Sequence, residues 1–134
     1  MKYMLDTDIC IYIKNKRPPH VIERFAHAQK GEVVISLITF GELLNGALKS
    51  NQPEIALGKI NQLANILPVQ AMPSDAARHY ARIRSVLEKQ GNIIGGNDLW
   101  IAAHALSLDL TLVSNNTREF SRIEELQLEN WVEN

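Results

Sequence analysis

Asp6 stands directly after the apolar pair Met4-Leu5 in KYMLDTDIC, and Asp8 follows two residues on. Met4 and Leu5 read as the end of a short buried strand, and in α/β proteins ligands gather at the carboxyl ends of strands. Packing explains an acid there poorly, so Asp6 is expected to hold a metal ion or to take part in catalysis. Asp8 has a simpler account as the N-cap of the next helix. In GGNDLWIAAHAL, a turn of about 100° per residue sets Asp98, Ala102 and Ala105 on one helical face, which should meet a sheet. An ionised carboxylate facing inward is costly unless it is paired or metal-bound. The competing account is a first-turn acid favoured by the helix dipole. Ser114-Asn115-Asn116 closes another expected strand, Leu110–Val113, with uncharged oxygen donors that either form a turn or hold a water or an ion.

Other groups have to be weighed against plainer roles. Thr39 and Glu42 fit a capping box, in which the glutamate reaches back to the N-cap amide. Glu119, taken alone, reads as a surface acid. His20, His27, His79 and His104 lack ligand spacing and read as structural or surface residues. Cys10 is the only cysteine, which excludes an internal disulfide and a cysteine-rich zinc site. Gly95-Gly96-Asn97 lacks the lysine of a P-loop. What remains is a set of oxygen ligands suited to a hard cation such as Mg²⁺ or Mn²⁺.

The elements that must position these acids alternate. Helices are expected from Thr7 or Asp8 to Lys14, from Pro19 to Gln29, up to Lys49 after Ile35, from Pro53 to Ile66, from Asp75 to Gln90 and from Asn97 to Leu108. Their apolar residues recur at helical spacing, as in Leu37, Phe40, Leu44 and Ala47, or Ile55, Ile60 and Leu63. Val33–Ile35 is a continuous apolar run, the mark of a strand buried on both faces, and Leu110–Val113 reads as another short buried strand. Leu67–Val69 reads as an edge strand, where Pro68 is tolerated. Leu126, Leu128 and Trp131-Val132 could supply a last strand. This alternation predicts an α/β fold with a mainly parallel sheet covered on both faces, in a single domain over residues 1–134.

With 134 residues, 46% hydrophobic and 22% charged, the chain can bury a real core. Its net charge of −1 does not suit a general nucleic-acid coat protein, whose affinity rests on many phosphate contacts. No apolar run approaches the roughly 20 residues that span a membrane. An aspartate at position six argues against a secretory signal. A soluble, cytoplasmic protein is expected.

Taken together and in order, LDTDICIYIKNK, VVISLITFGELLNGA, GGNDLWIAAHAL and TLVSNNTREF resemble the PIN-domain ribonucleases, specifically the VapC-type toxins of bacterial toxin–antitoxin pairs. The resemblance covers essentially the whole chain. It implies a PIN-like three-layer α/β/α fold with a central, mainly parallel sheet of four to five strands. It carries the catalytic acids onto Asp6, Glu42 and Asp98, which would hold Mg²⁺, with Mn²⁺ able to substitute. The family's fourth acidic position falls on Asn116, a departure that leaves one charge missing, and Glu119 is the candidate to compensate. Thr7 and Ser114 would help to position metal-bound water or phosphate. The implied activity is endoribonucleolytic cleavage of tRNA, including initiator tRNA in its anticodon stem-loop, so that translation is inhibited. The implied partners are a VapB-type antitoxin and a second copy of the chain.

RNA contact is expected at Lys14, Lys16 and Arg17, and at Arg78 and Arg82 on one helix face, against the alternative that each is solvated surface charge. Two other functions compete. One is a PIN-like domain weakened by Asn116 that only binds RNA or protein. The other is a phosphatase of the haloacid dehalogenase class with Asp6 as nucleophile, although that class needs a lysine and a further acidic pair after the serine, and here the informative acid, Asp98, precedes Ser114.

Overall fold

Met4 and Leu5 point to opposite sides of one strand, and that alternation divides the molecule into two cores. The computed structural model describes residues 1–133. Strand β1 (Tyr3–Leu5) is followed by α1 (Thr7–Asn15), α2 (Pro19–His27), β2 (Val33–Ser36), α3 (Leu37–Leu48), α4 (Pro53–Ile66) and β3 (Val69–Gln70). Then come α5 (Asp75–Lys89), α6 (Gly96–Ser107), β4 (Thr111–Val113), α7 (Thr117–Phe120) and β5 (Leu128–Glu129). The five strands lie in the order β3-β2-β1-β4-β5, and all pairs are parallel. Successive residues of a strand face opposite ways. Met4, Val34 and Leu112 therefore join one core with Ile83 and Leu87 of α5 and Leu99 and Ile101 of α6. Leu5, Val33, Ile35 and Val113 join the other with Ile9, Val21, Leu43 and Ile60 of α1 to α4. This is the expected three-layer α/β/α arrangement of the PIN-like fold, with the sheet at the upper end of the expected size and wholly parallel.

Because every strand runs the same way, all carboxyl ends share one edge of the sheet. The chain builds outward from β1 first through β2 and β3, then on the other side through β4 and β5. The reversal at β1 and β4 opens the crevice where α/β proteins bind ligands. Asp6 follows β1 at that edge and Ser114 follows β4.

Local chemistry moved several boundaries. The N-cap of α1 is Asp6 itself, whose carboxylate accepts from Thr7 N, so the expected caps Thr7 and Asp8 lie inside the helix. The N-cap of α3 is Ser36, accepting from Ile38 N. Thr39 is therefore buried in the first turns and Glu42 closes no capping box. Leu37 and Ile55, expected on buried faces, are 50% and 56% exposed. The edge strand forms one step later than expected, at Val69–Gln70, and the last at Leu128–Glu129. Past it, Trp131 is buried, edge-on to Tyr3 and under the Arg24 guanidinium. Among the described residues no helix is long and apolar enough to cross a membrane.

His104 is structural, as expected. It is fully buried on α6, where Ser36 Oγ lies 2.7 Å from Nδ1 and the Ala71 carbonyl 3.2 Å from Nε2. A carbonyl only accepts, so Nε2 carries the proton and Ser36 donates to Nδ1. Burial holds its pKa below the ordinary 6.5, which keeps the ring neutral and clamps α6 to the end of β2.

Candidate active site

At the sheet edge the backbone leaves β1 and turns at once into α1, which buries Asp6 to 5% exposure. Its Oδ1 accepts from Thr7 N at 2.8 Å and its Oδ2 from Ser114 Oγ at 2.8 Å. Ser114, itself fully buried, receives Asn116 N at 2.9 Å. One hydroxyl thus couples the ends of β1 and β4. The Asp6 carboxyl is pushed up from 3.8 to about 7, chiefly by burial and next by the charge of Asp8, against the opposing pull of the Ser114 and Thr7 hydrogen bonds.

Asp8 works as a staple. Its two oxygens accept from Ile9 N at 2.7 Å and from Asn115 N at 3.0 Å, so it fastens the first turn of α1 to the loop after β4. Burial raises its pKa as well. The expected role of Asp8 as N-cap passes to Asp6, and Asp8 is instead a first-turn acid that holds the loop after β4.

Glu42 comes from the second turn of α3. Thr7 Oγ1 donates to its Oε1 at 2.6 Å, and Asn97 Nδ2 lies 3.4 Å from its Oε2. Thr39 Oγ1 is 3.4 Å from the same threonine hydroxyl. Replacing Thr7 by valine keeps the shape and deletes the donor. With Glu42 half-buried, the expected cost is about 1 kcal/mol, read as a lower urea midpoint at unchanged slope.

Asp98 lies in the first turn of α6, half-buried, with Asn116 Nδ2 at 3.4 Å from its Oδ2. Its pKa is raised from 3.8 to about 6 by burial first, then by the charges of Glu119, Glu42 and Asp8. Repulsion among the acids therefore operates, but burial outweighs it. Glu119 reaches this cluster because residues 117 to 120 form α7, a single turn that carries it back over the edge. The position expected to bear an acid, Asn116, offers an amide, which donates to Asp98 where a fourth carboxylate would repel it.

Asp6, Glu42, Asp98, Asn116 and Glu119 thus gather at one edge, with Thr7, Ser114 and Asp8. Asn115, one of the expected oxygen donors, lies there too, and Thr39 and Asn97 join without the sequence having given them a part in the site. Only the neighbourhood of Asn97 to Asp98 and the i, i+3 spacing of Thr39 and Glu42 could have pointed to them. The five ion pairs among the described residues all lie elsewhere, so no basic side chain neutralises this cluster. Nor do three Asp, Glu, His or Cys side chains among the described residues converge closely enough to enclose an ion by themselves. A hard cation such as Mg²⁺ keeps several waters and takes only one or two carboxylates beside phosphate oxygens. Of the expected RNA contacts, Lys14, Lys16 and Arg17 are exposed at the end of α1. On α5, Arg78 pairs with Asp75, and Arg82 is engaged by Glu125 and by His79 Nδ1.

Comparison with known proteins places this geometry. Residues 3–126 match the PIN domain model. Over 132 residues the chain is 45% identical to Ribonuclease VapC2 of Haemophilus influenzae, covering 98% of this chain and 99% of that protein. It is 42% identical over 131 residues to the tRNA(fMet)-specific endonuclease VapC of Shigella flexneri, covering 98% of each. A solved structure of VapBC-1 from nontypeable Haemophilus influenzae superposes with a TM-score of 0.92 at 40% identity, over 99% of this chain and 100% of that one.

Proposed function

Because the chain belongs to the PIN-domain family and, within it, to the VapC ribonucleases, we propose that it is a Mg²⁺-dependent endoribonuclease, the toxin of a VapBC-type pair. It works in the cytoplasm on tRNA and so inhibits translation. The observation that carries this reading is the uncompensated carboxylate cluster. Asp6 and Asp98 are held in place by hydrogen bonds, yet their pKa values stand at about 7 and about 6, with no basic side chain paired to either among the described residues.

Asp6 and Asp98 would hold the ion directly, with Glu42 reaching it through one of its waters. When bound, Mg²⁺ supplies an activated water and charge neutralisation at the phosphate. The chain's own side chains do the positioning. Thr7 N and Ser114 Oγ fix both oxygens of Asp6. Thr7 Oγ1 aims Glu42, and the Asn116 amide steadies Asp98 without adding charge. Burial, and after it the charge of Glu119, raise the Asp98 pKa to about 6, so a bound cation is favoured there over an unpaired charge. The likeness to an enzyme named for tRNA(fMet) supports initiator tRNA as the substrate. The likeness to the VapBC-1 structure supports a VapB-type antitoxin as the partner of a homodimeric toxin.

Antitoxin-free protein should cut total tRNA into discrete products with Mg²⁺ and none with EDTA, and mapping the ends identifies the target. A folded, metal-supplied protein that leaves both tRNA and rRNA intact would overturn the reading. Ligands must be deprotonated, so Mg²⁺ affinity should fall roughly 10- to 100-fold from pH 7.5 to 5.5. Calorimetry in buffers of different ionisation enthalpy should show protons released on binding, and a pH-independent affinity would contradict the assignment.

A further inference from the structure

The acidic centre lies at one end of a shallow trough between α1 and α4, and the trough's far part has the opposite chemistry. Thr7, Ile11 and Lys14 stand at i, i+4 and i+7, one stripe along α1. At 1.5 Å per residue the stripe carries the surface about 10 Å away from the hydroxyl that aims Glu42. Thr7, Ile11, Lys14 and Glu42 line the near depression together. Lys14 then lines the two adjoining depressions as well, each time with Lys59 of α4. The remaining polar lining of those two is Lys16 with amides and a hydroxyl, including Asn51, Gln52 and Gln62, and no acid. In a chain with fifteen acids against fourteen bases, that stretch is cationic. None of the ion pairs among the described residues uses Lys14, Lys16 or Lys59.

We propose that this trough is the track for the RNA strand beside the scissile phosphate, with Lys14 and Lys59 as the phosphate-binding pair and Lys16 at its outer end. The proposal rests on the nuclease reading and deepens it. A net charge of −1 does not hold a polyanion in general, but three unpaired lysines along one path into the active site hold a strand locally. Neutral amides between them bond phosphate, sugar or base edges without repelling any. Ile11, 37% exposed, and Ile55 and Ile66, 56% and 57% exposed, offer apolar seats for unstacked bases. On α5, by contrast, the arginines Arg78 and Arg82 are engaged by neighbouring acids.

The test compares Lys14→Gln/Lys59→Gln with the parent and with a Lys89→Gln control on the last turn of α5, using a tRNA substrate. The double variant should raise KM roughly 10-fold with little change in kcat. Each phosphate contact to a single strand contributes about 0.7 to the slope of log affinity against log salt. The slope should therefore fall by about 1.4 in the double variant and stay put in the control. Binding of tRNA by the same lysine variants in an Asp98→Asn background reads the trough without cleavage. Unchanged KM and slope in a double variant that still cleaves would overturn the trough alone. Loss of affinity for the antitoxin with unchanged KM would overturn it too, and assign the surface to a peptide. Absence of cleavage by the parent, with no difference in RNA binding between parent and variants, would overturn both readings.

Discussion

Asp98→Asn is expected to lower Mg²⁺-dependent RNA cleavage by roughly 10²- to 10⁴-fold while leaving the fold intact. Changes to groups that merely support a metal ligand already cost about 10- to 100-fold, and Asp98 would be a ligand itself. The carbonyl of an asparagine can still accept from the Asn116 amide, as Asp98 Oδ2 does at 3.4 Å, so the local hydrogen bond survives. What disappears is the negative charge that Glu119 and Glu42 crowd. Cleavage of total tRNA by parent and variant at saturating Mg²⁺ is the measurement, with circular dichroism as the check on folding. Activity within ten-fold of the parent in a folded variant would remove Asp98 from the metal site.

The second large effect concerns stability without metal. The folded chain holds the Asp6 proton to about 7, whereas 3.8 is the ordinary value. The folded state therefore binds this proton more tightly than the unfolded state does. The contribution of Asp6 is most favourable below about pH 4 and is lost as pH rises to about 7. A lift of that size corresponds to on the order of 4 kcal/mol for this buried group. Asp98 acts in the same direction, whereas His104, held neutral by burial, favours the higher pH. Comparison with a variant separates them. In EDTA at pH 8, Asp6→Asn should be more stable than the parent by roughly 2 kcal/mol, about 6–8 °C in Tm. The advantage should vanish at pH 4 and be offset at pH 8 by Mg²⁺, which stabilises only the parent. A variant less stable than the parent in EDTA at pH 8 would show that the Ser114 and Thr7 hydrogen bonds outweigh the buried charge.

The layers of this fold were legible because buried parallel strands need largely apolar runs, and Val33–Ile35 and, with Thr111 as its one polar member, Leu110–Val113 supply them. The edge acids were legible for the same reason, since a polar residue closing such a run has few packing roles. Where reading failed, two roles fell on one residue or a turn came early. Asp6 was set apart from its neighbours as no mere cap, yet it caps α1 and belongs to the cluster at once. Ser36 starts α3 three residues before Thr39, which removes the capping box that had offered Glu42 a plain role. The single turn of α7 is too short for periodicity to reveal, so Glu119 looked like a surface acid until that turn brought it to Asp98. Ile55 shows the converse limit. Its spacing fits a buried stripe, and only the tertiary packing of α4 decides that it stays in water.

The placement of the two tryptophans makes the molecule its own optical gauge. Trp131 is sealed into the layer built from α1 to α4, while Trp100 stacks on Tyr80, with ring centroids 3.8 Å apart, at the outside of the α5–α6 layer. Intrinsic fluorescence therefore samples both sides of the sheet. Single-tryptophan variants followed through denaturation would report whether the layers melt as one cooperative unit or peel apart.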